Sequence, residues 1–580
     1  MSVLQWVVVF LLNGGIVLYS TLGSKRSESS QDWFLGGRSV PWWIVGISAF
    51  ATAIDSSDLV ADSGGIYSLG IRYFVTNWVG TVTGWLLLAH FVAIPMYRSG
   101  MYTNSEYLEQ RFGLSTRVCS SLVQVQYRTM VMANISTTLY LTFTVVGGLG
   151  REAWIGVFVV VALSLIYTIW GGSRSVAVTD VLQSVVMIAA SLILFGMVSY
   201  AVGGWSGTAS RLASVDPQLA PRMLRIGSDY VETVPVSGVS IEEVGRQLLL
   251  GGSHDESAEQ IVRKTPAWLI CISFILVGMA YSIVNHEQSM RLFASKSAWD
   301  MKMSVVVASL FLMIMTYFNL MMGVMGRALY PTLESLPVSE TLQQTADPIY
   351  PILVRDFTSG GLKVVVIAGL LAAAISTYAG IGSAMSALLT KDIYARLLVK
   401  NASDKHYLLV GRWLTLLVAL GAFAYVPFLL TNGMMMFYLD LVGAFVIPLL
   451  TIYLMGTFTR VHRKSGMIGL LVGVSYGFAR LILTKLAVSH GISLFPPVFL
   501  NSFASYPITV LLTTSSMVIV SLVLGWEPAT QTIASNDITV NQSSFLGETP
   551  SESRVRELLP SVLGITVLVI GAGLSFILFW

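Results

Sequence analysis

Within the stretch ATAIDSSDLVADSGG, residues 51 to 65, three carboxylates lie inside a run otherwise apolar enough to enter a lipid bilayer. At 100° per residue, Asp55, Asp58 and Asp62 fall within about 60° of one another on a continuous helix, so they share one face. An ionised aspartate at mid-membrane costs from about 2.5 to more than ~10 kcal/mol, and such a residue usually faces a wet cavity or a cation. For Asp62 the bland reading is proximity to water at the helix tip; Asp55 and Asp58, nearer mid-span, point to a functional cavity. Thr52, Ser56, Ser57 and Ser63 compete for backbone partners in the same stretch, which ends in Gly64 and Gly65. A local break in the helix is therefore expected. At membrane depth a break frees carbonyl oxygens, and carbonyls beside hydroxyls suit a hard monovalent cation such as Na⁺.

A second polar cluster lies in GLLAAAISTYAGIGSAMSALLTKDIY, residues 369 to 394, where Ser376 and Thr377 are adjacent. Small residues surround them, including Ala372, Ala373, Ala374, Ala379, Gly380 and Gly382. Small side chains permit close helix approach, and hydroxyls in membrane helices commonly bond back to their own carbonyls; ion ligation is the alternative. The six histidines are scattered, with no HExxH, no GxSxG and no paired protease-type aspartates, so no enzyme chemistry is expected. Cys119 and Cys271 form no metal-ligand spacing and read as free thiols.

The scaffold that must hold these groups is a membrane one. Of 580 residues 54% are hydrophobic and 11% charged, against about 25% charged in soluble proteins. A net charge of +3 does not indicate a nucleic-acid binder. Apolar runs of about 20 residues recur from 4–22 to 558–579, giving about fourteen helices and an all-α polytopic protein. The first run has no basic residue before it and Lys25 and Arg26 directly after it, the reverse of a signal peptide, which predicts a retained anchor with its N-terminus outside. With that orientation most Lys and Arg fall in cytoplasmic loops and the C-terminus also lies outside, as expected of a multi-pass protein of the plasma membrane. Two polar segments remain: 203–265 outside and 526–556, rich in Ser, Thr and Asn, inside. Neither is large enough for a separate catalytic domain.

Several segments in order carry a resemblance: DWFLGGRSVPWW (32–43), TNSEYLEQRFG (103–113), YTIWGG with VTDVLQ (167–172, 178–183), NHEQSMRLFASKS (285–297), DPIYPILVRDF (347–357) and AAAIST to KDIY. Taken together they resemble the sodium:solute symporter family. The resemblance implies a LeuT-like core of two inverted five-helix repeats over about 31–490, with an extra helix and loop at 1–30 and extra helices at 491–580. It implies that the first and sixth core helices, 42–67 and 266–290, are broken around a midplane site. It implies a sodium site from the carbonyls of Ala51, Ile54 and Ala373 with the hydroxyls of Ser376 and Thr377. Some members hold a second sodium on an aspartate that matches Asp180, but the partner positions here, Ala379 and Gly380, lack side-chain oxygens. One sodium is therefore expected, with Asp180 open to either a coupling or a structural role, and Asp55 is a further coupling candidate.

The family's solute site maps onto Asp58, Asn77, Tyr281 and Met436. Sugar-transporting members carry His, Glu, Tyr and Gln there, and only Tyr281 agrees; Leu312 falls where a lysine is found. Proline-type members carry an aspartate where this chain has Ala53. The expectation is sodium-coupled symport of a small polar solute, one with an amino group paired to Asp58 and capped by Trp78 and Met436. Proton coupling through Asp58 is an alternative, as is a solute sensor. Sensors of this family append a long cytoplasmic kinase region, whereas this sequence closes at Trp580. Sodium as co-transported ion, the solute and the lipid bilayer are the expected partners, with no cofactor.

Overall fold

In lipid a chain must satisfy its backbone internally, and the apolar runs of this sequence do so as helices. The computed structural model describes residues 1–23, 38–235, 252–255, 260–490, 499, 501–527 and 554–580. Lys25 and Arg26, the start of the DWFLGGRSVPWW segment and most of 526–556 lie outside the described residues.

The chain begins with α1 (Val3–Gly23) and continues into α2 (Trp42–Ala51) and α3 (Ser56–Leu69), which meet at a 49° bend. A run of alternating α and π turns, Val75–Arg98, leads through a short helix, Asn104–Phe112, to α4 (Leu114–Val145) and α5 (Ala153–Val202). A second interrupted pair follows, α6 (Ala267–Val284) and α7 (His286–Phe293), separated by Asn285 alone. Next come α8 (Ala298–Leu329), α9 (Gly360–Ala387) with a π-helical extension Leu388–Leu398, and α10 (Asp404–Ala422). The closing elements are α11 (Met434–Leu441), α12 (Ile447–Phe458), α13 (Ser465–His490), α14 (Ser502–Leu524) and α15 (Arg554–Phe579).

Among the described residues, eleven helices are long and apolar enough to cross a membrane, or twelve with the bent α2/α3 pair as one span. The count of fourteen is not reached for two physical reasons. Helix α4 is long enough but too polar, carrying Arg117, Gln124, Arg128 and Asn134. The spans expected at 153–170 and 177–202 form one helical element, whose first apolar piece, Ala153–Ile166, is short. Gly171 and Gly172 weaken a helix by ~1 kcal/mol each but remove no backbone donor, so they do not end it.

One departure from an all-helical reading lies in the 203–265 insertion. It holds a three-stranded antiparallel sheet of β1 (Tyr230–Pro235), β2 (Gly252–Asp255) and β3 (Gln260–Thr265) in the order β1-β3-β2.

At the centre of the bundle α9 packs on α5, α2, α3 and α4, while α8 packs on α2 and α3. Helix α1 also lies against α9, where the Asn13 amide donates to the Ala368 carbonyl at 3.2 Å. At the far end of α9 Asp392 is fully buried and pairs with Arg117 of α4 at 2.6 Å; Arg117 also reaches Glu109, which binds Arg396. Both interrupted helices thus sit inside a frame tied at its edges.

Candidate sodium and solute sites

The break between α2 and α3 is built by the chain's own carboxylates. Asp55 is the N-cap of α3, and its Oδ1 accepts from the amides of Ser57 (2.6 Å) and Asp58 (3.0 Å) and from the Ser57 hydroxyl (2.5 Å). Asp58 answers as a capping box, its Oδ2 accepting from the Asp55 amide at 2.7 Å. In an unbroken helix these three amides would serve the carbonyls four residues earlier. Diverting the amides of Asp55, Ser57 and Asp58 therefore strips the helical donors from the carbonyls of Ala51, Ala53 and Ile54. Two of those three are the carbonyls expected to face sodium.

The second half of that site lies on α9. Ser376 and Thr377 are both fully buried, and the Thr377 hydroxyl has no hydrogen-bond partner among the described residues. Ser376 donates to Asp180 of α5 at 2.6 Å, and Ser48 of α2, one turn before Ala51, donates to the other oxygen of Asp180 at 2.5 Å. Arg291 of α7 forms an ion pair with the same carboxylate at 3.2 Å. Asp180 is fully buried and joins α2, α5, α7 and α9.

The two interrupted helices also brace each other. The Tyr281 hydroxyl of α6 donates to the Thr52 carbonyl inside the first break at 2.9 Å, and Gln288 of α7 donates to that hydroxyl at 3.0 Å. Asn285 forms the second break, its side chain accepting from the Glu287 amide.

Beside the first break lies a cavity walled by Ala53, Ile54, Asp55, Asp58 and Asp62. Tyr73, Asn77, Arg128, Asn134 and Tyr281 add to its polar lining, and Leu312, Thr316, Met435 and Tyr438 also reach it. Asn77 donates to Asp62 at 2.5 Å. The one guanidinium of this wall, Arg128 of α4, is buried and paired with the fully buried Glu287. It also stands 5.8 Å from the ring centroids of Tyr127 and Tyr281. Gly380 makes room for that pairing: a Cβ there would lie 2.1 Å from Glu287 Oε1 and 2.9 Å from Arg291 Nη2. The position that lacks a hydroxyl for a second ion is filled by a carboxylate and a guanidinium.

Asp58, Asn77 and Tyr281 stand together in the cavity as the sequence led us to expect, and Asp55 joins them. Asp62 is not solvated at a helix tip; it is 6% exposed and lines the cavity. Met436 does not reach it. It is 39% exposed, and the methionine at the wall is its neighbour Met435, whose sulfur fills the notch left by Gly65. One residue along a helix turns a side chain by about 100°, which is the whole difference. Trp78 is fully buried but faces away from the cavity, with its indole N–H on the Ser309 carbonyl at 3.2 Å. Arg128 and Glu287 were missed, although a charge inside an apolar run was the available signal for each. Cys119 and Cys271 are free thiols.

A helical membrane bundle with two interrupted helices, and carbonyls freed of their helical donors at the first of them, has the arrangement of the LeuT-like fold. The sodium:solute symporter family model matches residues 33–473, and the chain belongs to that family. It is 28% identical over 503 residues to sodium/glucose cotransporter 2 of Rattus norvegicus, covering 83% of this chain and 71% of that one. It is 26% identical over 495 residues to sodium/myo-inositol cotransporter 2 of Oryctolagus cuniculus, covering 82% and 69%. In fold it is similar to a substrate-bound, outward-open sodium-coupled sialic acid symporter, with a TM-score of 0.68 at 20% identity over 89% of this chain and 98% of that one. A nucleobase-cation-symport-1 family transporter in a closed conformation gives a TM-score of 0.52 at 13% identity over 86% and 96%. The protein is a multi-pass membrane symporter that couples a small solute to sodium.

Proposed function

We propose that this symporter carries a small solute bearing an amino or other cationic group, held between Asp58, Asp62, Asn77 and Tyr281. One observation carries the reading: the wall presents Asp55, Asp58 and Asp62, while its guanidinium, Arg128, is already paired to Glu287. An excess of carboxylates in a low-dielectric cavity favours a cation and penalises a neutral polyol, which leaves those charges unpaired. Sodium sits at the carbonyls of Ala51, Ile54 and Ala373 and the hydroxyls of Ser376 and Thr377. No ligand is charged, so the ion is released on each cycle. Binding of the ion joins α2 to α9, and its differential affinity for the outward- and inward-facing forms, with the membrane potential of ~2.3 kcal/mol per charge per 100 mV, drives the solute. Asp55 shapes the gap and Asp180 positions Ser376. Residues 31–490 form the working core, in the plasma membrane with both termini outside.

The test is sodium-dependent thermal stabilisation and proteoliposome uptake with glucosamine, glucose, proline, choline and myo-inositol. Glucosamine against glucose isolates the amino group. Preference for the amine-bearing solutes that disappears in Asp58→Asn and Asp62→Asn supports the reading. Equal handling of glucose and glucosamine by wild type, or unchanged preference in both variants, overturns it.

A further inference from the structure

Two consecutive residues on the π-helical turn Val75–Gly80 face different ways: Asn77 lines the cavity and donates to Asp62, while Trp78 is fully buried and is not part of the lining. Trp78 is clamped on three sides. Its indole N–H donates to Ser309 of α8, the helix that supplies Leu312 and Thr316 to the cavity. Its ring stacks on Phe74 with centroids 6.1 Å apart. On the outer side lies Gly571 of α15, where a Cβ would fall 1.8, 2.4 and 2.6 Å from Cη2, Cζ3 and Cζ2 of the indole. A Cβ on Gly573, two residues on, would have nothing within 4 Å. A π turn spends an extra residue in the helix and has poorer hydrogen-bond geometry than an α turn, so its side-chain directions depend on what packs against it.

We propose that Gly571 is a positioning residue for solute selectivity: by admitting the Trp78 ring it fixes the direction of Asn77 and, through it, of the Asp62 carboxylate. The C-terminal helix, outside the ten-helix core, thereby sets the geometry of a cavity it never touches. This rests on the reading of Asn77 and Asp62 as solute-binding residues.

The experiment compares wild type with Gly571→Val, Gly573→Val, Trp78→Leu, Gly571→Val/Trp78→Leu and Asn77→Ala in proteoliposomes. For each solute of the panel above it measures KM, maximal rate, half-saturating sodium and the order of competition. In Gly571→Val, KM for the preferred solute is expected to rise about fivefold or more with the competitor order altered, while half-saturating sodium stays within about twofold. Gly573→Val should match wild type, and the double variant should return to the values of Trp78→Leu alone. If Gly571→Val is not recovered folded, Trp78→Leu reads the same positioning from the other side and should shift KM and competitor order alone. Wild-type KM and order in Gly571→Val or Trp78→Leu, with Asn77→Ala altered, overturns the inference and spares the site. Wild-type behaviour in Asn77→Ala overturns the site and the inference together. A parallel loss of KM, sodium response and rate marks a purely structural role and also overturns it.

Discussion

Ser48 and Ser376 donate to opposite oxygens of one buried carboxylate, Asp180, at 2.5 and 2.6 Å. Helix α2 is thereby tied to α9 one turn from the carbonyl of Ala51, and the tie does not pass through the ion. The two segments proposed to hold sodium are joined by hydroxyls that share an anchor, with Arg291 paired to the same carboxylate.

Removing the Ser376 and Thr377 hydroxyls should weaken sodium, with a smaller loss of stability from the donor that Asp180 loses. Ser376→Ala with Thr377→Ala is expected to raise half-saturating sodium by about tenfold, equivalent to ~1.4 kcal/mol. Ser48→Ala, acting only through Asp180, should give a smaller rise. Uptake measured against sodium concentration checks both, and an unaltered sodium curve in the double variant would count against the assigned ligands.

Glu287→Gln leaves the buried Arg128 guanidinium facing a neutral amide. Breaking a buried ion pair by removing one partner costs ~3–5 kcal/mol. A lower thermal unfolding temperature of the purified protein is the expected result. Replacing both partners, Arg128→Met with Glu287→Met, should recover part of the loss, since no uncompensated charge remains. A Glu287→Gln protein as stable as wild type would refute the pairing.

Tyr281→Phe deletes the donor to the Thr52 carbonyl and keeps the ring. A net loss of ~1 kcal/mol is expected for one such bond. Because that carbonyl lies in the break, half-saturating sodium should rise severalfold along with solute KM. A change in solute KM alone would show that the hydroxyl serves the solute and not the brace.

Asp347, before the short helix Ile349–Phe357, is buried and accepts from the Met434 amide at 2.9 Å and from the Thr345 hydroxyl at 3.3 Å. Burial pushes its carboxyl up from 3.8 to about 6 against the opposing pull of those bonds. The folded protein therefore binds this proton before the unfolded chain does. Its contribution to stability is full below 3.8 and is lost as pH rises through about 6. Asp347→Asn removes the titration. The difference in unfolding temperature between wild type and variant should change between pH 4 and 7 in wild type's disfavour as pH rises, which a thermal scan at several pH values checks. A difference that is flat across that window would exclude the raised carboxyl.

Much of this was legible in the sequence because lipid leaves a chain few options. Carboxylates and glycines inside an apolar run demanded a break, and Asp55 and Asp58 make one. What was not legible was direction. Met435 and Met436 are identical in type, and it is Met435 that packs into the notch at Gly65 and lines the cavity. Arg128 and Glu287 lie 159 positions apart, and no local pattern joins them. The count of fourteen spans is not confirmed for a related reason: the polar residues that α4 buries dilute the apolarity by which a span is recognised.

The reciprocal cap of Asp55 and Asp58 has one more implication. Carbonyls released by an incoming ion would have to be unwound on every turnover, and sodium affinity would be spent on melting a helix. Here the unwinding is held by the side chains of two acids three residues apart, with no ion needed to make those bonds. If sodium binds at these carbonyls as proposed, its binding energy is left for coupling and need not be spent on opening the backbone.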